Sequence, residues 1–235
     1  MSMGTLFLIP VSLGETVNEK LFPDLNLRLI NELEYLVVEN ERSARRFIRS
    51  TGSKRDFDSL ELILLDKRTS QHEISRPMEL LLQGKDIGLM SEAGCPGVAD
   101  PGQILIAEAH TYNIKVVPLI GPSSILLGLM ASGLNGQGFT FNGYLPIDKH
   151  DRTRKLKELD SVVSRTGFTQ IFMETPYRNQ KLFEEVLRIC NNQHLLCLAV
   201  DITMSSEEIK TQSINEWKAT SIHLHKRPCM FLLGK

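Results

Sequence analysis

Short apolar runs alternate with amphipathic segments along the first half of the chain. "TLFLIP" precedes a helix-like segment from Asp24 to Leu33, with Asp24 as the expected N-cap. "YLVVE" precedes a second helix, Ser43 to Ser50, closed by Gly52. The strand series continues through "LELILLD", "DIGLMS" and "IKVVPL", with helices before Gly84 and after Gly102. This alternation predicts an α/β fold with a largely parallel sheet.

The same alternation resumes after Pro122. A helix is expected to about Ala131, followed by the strand "FTFNGYLP" and the charged helix "HDRTRKLKELDSVV". Five further segments complete the series: the strand "TQIFMET", the helix "QKLFEEVLRI", the strand "HLLCLAVDIT", the short helix "INEWKAT" and the strand "CMFLLG". We expect a boundary near residues 118 to 123, which gives two α/β domains, 1–118 and 119–235.

Composition adds limits to this pattern. The 235 residues are 42% hydrophobic and 23% charged, as in ordinary soluble globular proteins. The formal net charge of −1 does not by itself indicate a nucleic-acid partner, although a local patch can still bind one. The four cysteines, Cys95, Cys190, Cys197 and Cys229, form no CxxC pair, so we expect reduced thiols in a cytoplasmic protein, with no disulfide framework and no metal site.

Two apolar stretches raise the question of membrane targeting. The N-terminal sequence has no basic region before its short apolar run, which Pro10 interrupts, so it predicts a buried strand rather than a signal peptide. The stretch from Val116 to Gly138 has no charge, but its prolines, glycines and serines favour a strand, a turn and a buried helix over a membrane span.

Three predicted loops follow strands and are rich in glycine and proline. They are "PVSLGE" (10–15), "SEAGCPGVADPG" (91–102) and "GPSS" (121–124). Glycine lets a ligand approach the backbone, and proline removes N–H donors, so such loops suit a cationic or amide-bearing ligand better than a phosphate. No GxxxxGK[ST] motif occurs, and "GLNGQG" (133–138) follows a predicted helix, which indicates a turn.

These segments together resemble one family. "SEAGCPGVADPG" is similar to the pattern S-D-A-G-T-P-x-x-x-D-P-G of the ribosomal RNA small-subunit methyltransferase I group, in the tetrapyrrole methylase superfamily. Further motifs of that group are resembled, in the same order along the chain, by "LFLIPVSLGE", "VENER", "VVPLIGPSSILLGLMASGL" with the "GYLP" that follows it, and "IFMETPYR". The resemblance runs from about Leu6 to Leu233.

The resemblance implies the tetrapyrrole methylase fold, two α/β domains with S-adenosylmethionine in the cleft between them, and a cytoplasmic homodimer. It also implies that the cofactor is contacted mainly by backbone groups. The matching positions are Leu13, Gly14, Gly94, Cys95, Pro96, Val98, Ser123, Ser124, Met173, Pro228, Cys229 and Met230.

The methyl acceptor is a separate question. The cofactor carries the reactive group, and the enzyme aligns a nucleophile, which a carboxylate base can assist. The candidates are Glu39 and Glu174, both at predicted strand ends, and Asp201 in "AVDIT". Each also has a structural interpretation, as a helix cap or one half of a salt bridge.

Basic residues suggest an RNA acceptor. The arginine ridge, defined here as Arg42, Arg45, Arg46 and Arg49, has spacing that places its members on one helix face, opposite Ala44, Phe47 and Ile48. Such a ridge suits RNA phosphates, and Arg178 in "METPYR" is a further candidate. A second cluster, Lys149, Arg152, Arg154, Lys155 and Lys157, is equally compatible with a solvated helix face.

The chain departs from the family pattern at several places. "VDITM" (200–204) stands where the family has R-E-L-T-K, and "RPCMF" (227–231) where it has G-E-M-V-L. Glu92 and Cys95 replace the aspartate and threonine of the second loop. The leading hypothesis is 2′-O-ribose methylation of small-subunit ribosomal RNA. A small-molecule methyltransferase with a tetrapyrrole-like acceptor and a cofactor-binding protein without catalysis remain alternatives.

Overall fold

The structure is a computed structural model that describes residues 2–14, 21–65 and 74–235. The chain divides into two compact units, Met1–Ser123 and Ser124–Lys235, called here the N-unit and the C-unit. The sequence placed the boundary after residue 118, and the division falls five residues later, directly before a helix.

The N-unit is built on a parallel sheet. Its strands are β1 (Thr5–Ile9), β2 (Tyr35–Val38), β3 (Glu61–Leu64), β4 (Ile87–Met90) and β5 (Lys115–Pro118), in the order β3-β2-β4-β1-β5. Every pairing between these strands is parallel. The predicted strands of the first half are therefore confirmed, and they share one sheet.

Helices cover both faces of this sheet. They are α1 (Asp24–Glu32), α2 (Glu41–Ser50), α3 (Ser75–Leu82) and α4 (Gln103–Thr111), with a 3₁₀ turn at Phe57–Ser59. The first two pack in one hydrophobic cluster and the last two in another. In α2, Phe47 and Ile48 are buried, each contributing about 1.5–3 kcal/mol. The prediction that Asp24 is an N-cap was wrong, because Pro23 precedes the helix and Asp24 is its first residue.

The C-unit contains a mixed sheet. Its strands are β6 (Phe139–Tyr144), β7 (Thr169–Met173), β8 (Leu195–Val200), β9 (Glu208–Ser213) and β10 (Cys229–Gly234), in the order β6-β7-β10-β8-β9. Only the β6–β7 pairing is parallel. The expectation of a largely parallel sheet therefore fails here. It also missed β9, because the polar sequence "EIKTQS" carries no apolar run at this sheet edge.

Four helices accompany this sheet: α5 (Ser124–Ser132), α6 (Lys149–Thr166), α7 (Asn179–Ile189) and α8 (Ile214–Trp217). The α5 backbone lies close to the sheet at Gly128, where an added Cβ would be 3.5 Å from Ala199 and Leu232. On the other side, Trp217 is 1% exposed and packs edge-to-face on Phe183. The α/β fold class is confirmed, with one parallel sheet and one mixed sheet.

The uncharged stretch from Val116 to Gly138 forms the rest of β5, a loop, α5 and a turn. Among the described helices, none combines the length and the apolar composition that crossing a bilayer requires. All four cysteines are free thiols, and three of them are buried.

Candidate functional site

Three loops of the N-unit emerge side by side at the carboxyl ends of the parallel strands. The connection from β1 runs toward β2, whereas the connection from β4 runs the opposite way, toward β5. Right-handed crossovers then place the following helices on opposite faces, and a crevice opens where β1 and β4 end. Because β5 flanks β1, the loops 10–14, 91–102 and 119–123 lie together at this end of the sheet.

Hydrogen bonds and close packing join these loops to one another. The Val11 N–H donates to the Gly94 carbonyl at 2.9 Å, and the Cys95 thiol lies 3.5 Å from the Pro122 carbonyl. A Cβ added to Gly121 would collide with the Pro10 ring, with Pro10 Cγ only 2.7 Å away. Glycine is therefore required at 121 for the first and third loops to approach this closely.

The second loop also has an internal clasp. The Asp100 carboxylate accepts from Gly97 N–H at 2.9 Å and from Gly102 N–H at 2.8 Å. Burial raises the pKa of Asp100, and the two N–H donors oppose this rise. Gly97 has φ of 80° and the neighbouring Ala99 φ of 62°, so the clasp holds a backbone path that side-chain-bearing residues rarely adopt.

The three loops converge at Gly94. Its φ is 76°, and an added Cβ would lie 3.3 Å from Leu13 Cδ2 in the first loop and 3.6 Å from the Pro122 carbonyl in the third. Glycine at this position therefore lets the second loop approach the first and the third. Six of the predicted cofactor contacts, Leu13, Gly14, Gly94, Cys95, Pro96 and Val98, belong to the first two loops, and Ser123 ends the third.

The two departures from the family pattern in the second loop have distinct contacts. Glu92 accepts a hydrogen bond from the Ser43 hydroxyl on α2 at 3.2 Å, and its own N–H donates to Glu39 Oε1 at 3.2 Å. The loop is thereby tied to the end of β2 and the start of α2. Burial raises the pKa of the Cys95 thiol, so that it stays protonated near neutrality.

The arginine ridge lies on α2, as predicted, but its four side chains differ in their contacts. Asn40 caps the helix by accepting from Ser43 N–H at 3.1 Å. The guanidinium groups of Arg45 and Arg49 sit 4.9 and 4.5 Å from the centroid of the Phe57 ring. Arg45 also lies 3.8 Å from Glu41, and Arg49 donates to the Arg55 carbonyl at 3.2 Å.

Arg42 and Arg46 are the available cations of this ridge. Both are exposed, and neither has a hydrogen bond or an ion pair with the described residues. They are one helical turn apart on the helix whose first turn contacts Glu92. The spacing in the sequence identified the ridge. It could not reveal that Arg45 and Arg49 contact Phe57, because Phe57 lies in a separate 3₁₀ turn.

In the second basic cluster, the prediction that Arg152 lies on the surface was wrong. Arg152 is 6% exposed and forms a bidentate pair with Glu185, with N–O distances of 2.6 and 2.9 Å. It also donates to the carbonyls of Pro146 and Ile147. Arg154 and Lys155 pair with carboxylates on their own helix. Arg152 is buried because α6 packs on α7, which carries Glu185.

Within the C-unit, the remaining predicted cofactor contacts gather at one end of the sheet. Met173 at the end of β7 is paired in register with Met230 of β10, which lies next to Cys229. Pro228 precedes β10, and its carbonyl accepts from Asp201 N–H at 3.0 Å. Ser124 is the first residue of α5. The antiparallel pairing of β10 explains why positions so distant in sequence meet here.

The two carboxylates proposed in the C-unit are each held by an arginine. Glu174 accepts from Arg178 at 2.6 Å and from its neighbour's N–H at Thr175, and its side chain is 2% exposed. Asp201 accepts from Arg227 at 2.7 Å and from the Ser206 hydroxyl at 2.9 Å.

The segments 200–204 and 227–231, the two largest departures from the family pattern, are joined through this second pair. Arg227 is contributed by one of them and Asp201 by the other. Arg227 lies 3.3 Å from Glu208 as well. The charges lost from one segment are therefore accompanied by a new ion pair between both, which sequence reading treated as two separate losses.

No model of a known protein family matches the chain. Several curated bacterial proteins named ribosomal RNA small subunit methyltransferase I do match it. The protein from Leptospira borgpetersenii is 30% identical over 210 residues, covering 87% of this chain and 77% of that protein. The protein from Pseudomonas aeruginosa is 26% identical, covering 100% and 80%. The protein from Halalkalibacterium halodurans is 28% identical, covering 91% and 69%.

Solved structures agree in fold. The methyltransferase CobJ has a TM-score of 0.64 at 17% identity, covering 100% of this chain and 95% of its own. Uroporphyrin-III C-methyl transferase from Thermus thermophilus, complexed with S-adenyl homocysteine, has a TM-score of 0.57 at 15% identity, covering 99% and 98%. The tetrapyrrole methylase fold and the resemblance drawn from the motifs are thus confirmed, and the chain belongs to the family of ribosomal RNA small subunit methyltransferase I.

Proposed function

We propose that this protein is an S-adenosylmethionine-dependent methyltransferase that acts on small-subunit ribosomal RNA, with a ribose 2′-hydroxyl as acceptor. The observation that carries the proposal is the convergence of three loops at Gly94 in a chain of this family. Bound S-adenosylmethionine supplies an electrophilic methyl group on sulfur. The protein has to hold that group in line with the acceptor oxygen and exclude water.

The loop residues fit this cofactor without a charged side chain. Gly94 and Gly121 let the three loops approach one another closely, and Leu13 and Val98 offer apolar contact beside them. Carbonyl oxygens suit a cationic sulfonium, whereas a phosphate would require N–H donors. We propose further contacts from Ser123 at the end of the N-unit, and from these residues of the C-unit: Ser124, Met173, Pro228, Cys229 and Met230.

We propose Glu39 as the candidate base because it lies beside the loop that holds Gly94. The oxygens of Glu174 and Asp201 are engaged by arginines at 2.6 and 2.7 Å, so neither is well placed to accept a proton from a substrate. Oε1 of Glu39 accepts from the N–H of Glu92, inside the loop that holds Gly94. We assign Glu174 and Asp201 to the support of Arg178 and Arg227.

RNA contact is proposed for Arg42 and Arg46, because both guanidinium groups are exposed beside the Glu92 loop. Arg45 and Arg49 support them by stacking on Phe57 and contribute charge to the same face. Each cation that neutralises a phosphate of a single strand adds about 0.7 to the salt dependence of log K. The double variant Arg42→Gln/Arg46→Gln should lower that slope by about 1.4, whereas the exposed control Arg28→Gln/Arg165→Gln should leave it unchanged.

The proposed activity is tested on ribosomal RNA from cells with and without the gene. Mass spectrometry of nuclease fragments should show one ribose methyl group missing in the deletion strain and restored by the wild-type gene. An unchanged methylation pattern would refute the RNA substrate. Titration calorimetry with S-adenosylmethionine then tests the alternatives. Absence of binding would reject both enzymatic functions, whereas binding without turnover of RNA or of a small molecule would support a non-catalytic role.

The resemblance also supports a homodimer that works in the cytoplasm. Light scattering on the purified protein should give twice the chain mass of 26.5 kDa. A monomer at concentrations where methylation is measurable would contradict the dimer.

A further inference from the structure

An exposed aromatic group lies at the functional end of the C-unit sheet. Tyr177 follows β7 in the segment 174–178, and 70% of its surface is exposed. A tyrosine ring left this open in water is not part of the core, and its apolar faces are available for a partner. The same end of the sheet carries Met173, Met230 and Pro228.

One imidazole ring and one cation lie beside this ring, and a second imidazole lies beside the first. The His225 ring lies 6.0 Å from Tyr177 with an interplanar angle of 76°, and His223 lies 6.3 Å from His225. The Lys226 ammonium is 6.0 Å from the Tyr177 centroid. We call these four residues the Tyr177 cluster; His223, His225 and Lys226 are also exposed.

The backbone beneath the cluster is fixed by hydrogen bonds between its two segments. Lys226 N–H donates to the Pro176 carbonyl at 2.9 Å, and the amide of Asn179 donates to the Arg227 carbonyl at 2.7 Å. Lys226 itself has φ of 64°, in the left-handed region that residues with a Cβ seldom occupy. Such a conformation persists only where the surrounding structure enforces it, and it is concentrated at binding sites.

We propose that the Tyr177 cluster stacks an unpaired base of the RNA substrate, with Lys226 contacting the adjoining phosphate. This inference rests on the proposed function, since it concerns how the same substrate is held. Sequence-specific proteins recognise RNA mostly through bases splayed out of loops, which stack on aromatic and imidazole rings. A duplex keeps its base faces covered, so the cluster selects single-stranded positions.

The composition of the cluster favours RNA over a protein partner. It combines open π faces with a lysine, and the carboxylate of the segment 174–178, Glu174, is already bound to Arg178. Stacking on an aromatic ring tolerates any base, so the cluster contributes affinity and selection for unpaired RNA rather than a sequence code. The target nucleotide is therefore selected by other contacts.

The test measures binding of a fluorescein-labelled, adenosine-rich RNA oligonucleotide, single-stranded or annealed to its complement, by anisotropy. Tyr177→Ala should weaken binding of the single strand about tenfold, within the range of base–aromatic stacking. Tyr177→Phe, which keeps the ring, and Tyr112→Ala, which removes an exposed tyrosine of the N-unit, should stay within about twofold of wild type. Binding of the duplex should be unaffected by Tyr177→Ala.

Lys226→Gln gives an independent reading of the phosphate contact. It should lower the salt slope for the single strand by about 0.7, while Lys115→Gln, at an exposed position on β5, should not. Since all these side chains are exposed, the thermal midpoint should not move and folding will not obscure the result.

The outcomes separate the cluster from the proposed function. If wild type methylates ribosomal RNA and Tyr177→Ala binds the single strand as tightly as wild type, the cluster proposal is overturned and the function stands. If wild type binds no RNA, both fail. An effect of Tyr177→Ala confined to turnover of a small-molecule acceptor, or to capture of a protein partner, also overturns stacking on RNA.

Discussion

Removing one partner of the buried pair between Arg152 and Glu185 should destabilise the C-unit strongly. Both side chains are 7% exposed, and two N–O contacts of 2.6 and 2.9 Å join them. Two unit charges about 4 Å apart attract by about 4 kcal/mol at an effective dielectric constant of about 20. Desolvation offsets much of this, yet removing one partner of such a pair costs about 3–5 kcal/mol, because the other charge stays buried.

We therefore expect Arg152→Met to lower the free energy of unfolding by about 3 kcal/mol or more. Trp217 is the single tryptophan and is buried in the same core as α6 and α7, so its fluorescence during urea unfolding reports on this unit. The matched control is Arg154→Met on the same helix, whose exposed pair with Asp151 at 2.9 Å should contribute about 0.3–0.5 kcal/mol.

The pH dependence gives a second signature. The hydrogen bonds from Arg152 lower the pKa of Glu185, so the pair stabilises the wild type above the unfolded carboxyl pKa and loses that effect as pH falls. In Arg152→Met, Glu185 lacks its counter-charge, and its burial should raise that pKa, so the destabilisation should shrink as the carboxyl takes up a proton. The gap between the two proteins should therefore narrow from pH about 7 to about 4.5.

A double variant, Arg152→Met/Glu185→Leu, should recover most of the loss, because apolar side chains of similar size can replace a buried pair. The reasoning is refuted if Arg152→Met costs no more than Arg154→Met. It is equally refuted if the double variant is as unstable as Arg152→Met alone, since the cost would then not come from an unpaired carboxylate.

Two further predictions concern the loops of the N-unit. Gly121→Ala should weaken S-adenosylmethionine binding about tenfold or more in calorimetry, because the new Cβ collides with Pro10 and separates two loops, and overpacking of this kind costs about 1–3 kcal/mol. Gly136→Ala, where nothing lies within 4 Å, should bind normally, and equal affinities would argue against a cofactor site here. Cys95 should be the first thiol alkylated in the native protein, since the other three are buried and burial raises the pKa of Cys190 to about 12. S-adenosylhomocysteine should slow its alkylation, and labelling at an unchanged rate with saturating ligand would place the ligand elsewhere.

Local sequence patterns were enough to predict the order of the elements apart from β9 and the α/β class. They were also enough for the three glycine- and proline-rich loops and for the helical face that carries the arginine ridge. All of these depend on local patterns: alternating apolar runs mark strands, residues three and four apart share a helix face, and glycine marks backbone that a side chain would obstruct. The family resemblance was also readable, because motif order is a property of the chain.

The contacts between these residues became apparent only in the folded chain. Arg152 looked like a surface cation until α7 brought Glu185 against it, and β9 had no apolar run because a sheet edge needs none. The segments around Asp201 and Arg227 looked like separate losses until antiparallel pairing joined them. In each case the deciding contact links residues far apart in the sequence, and local periodicity carries no information about such partners.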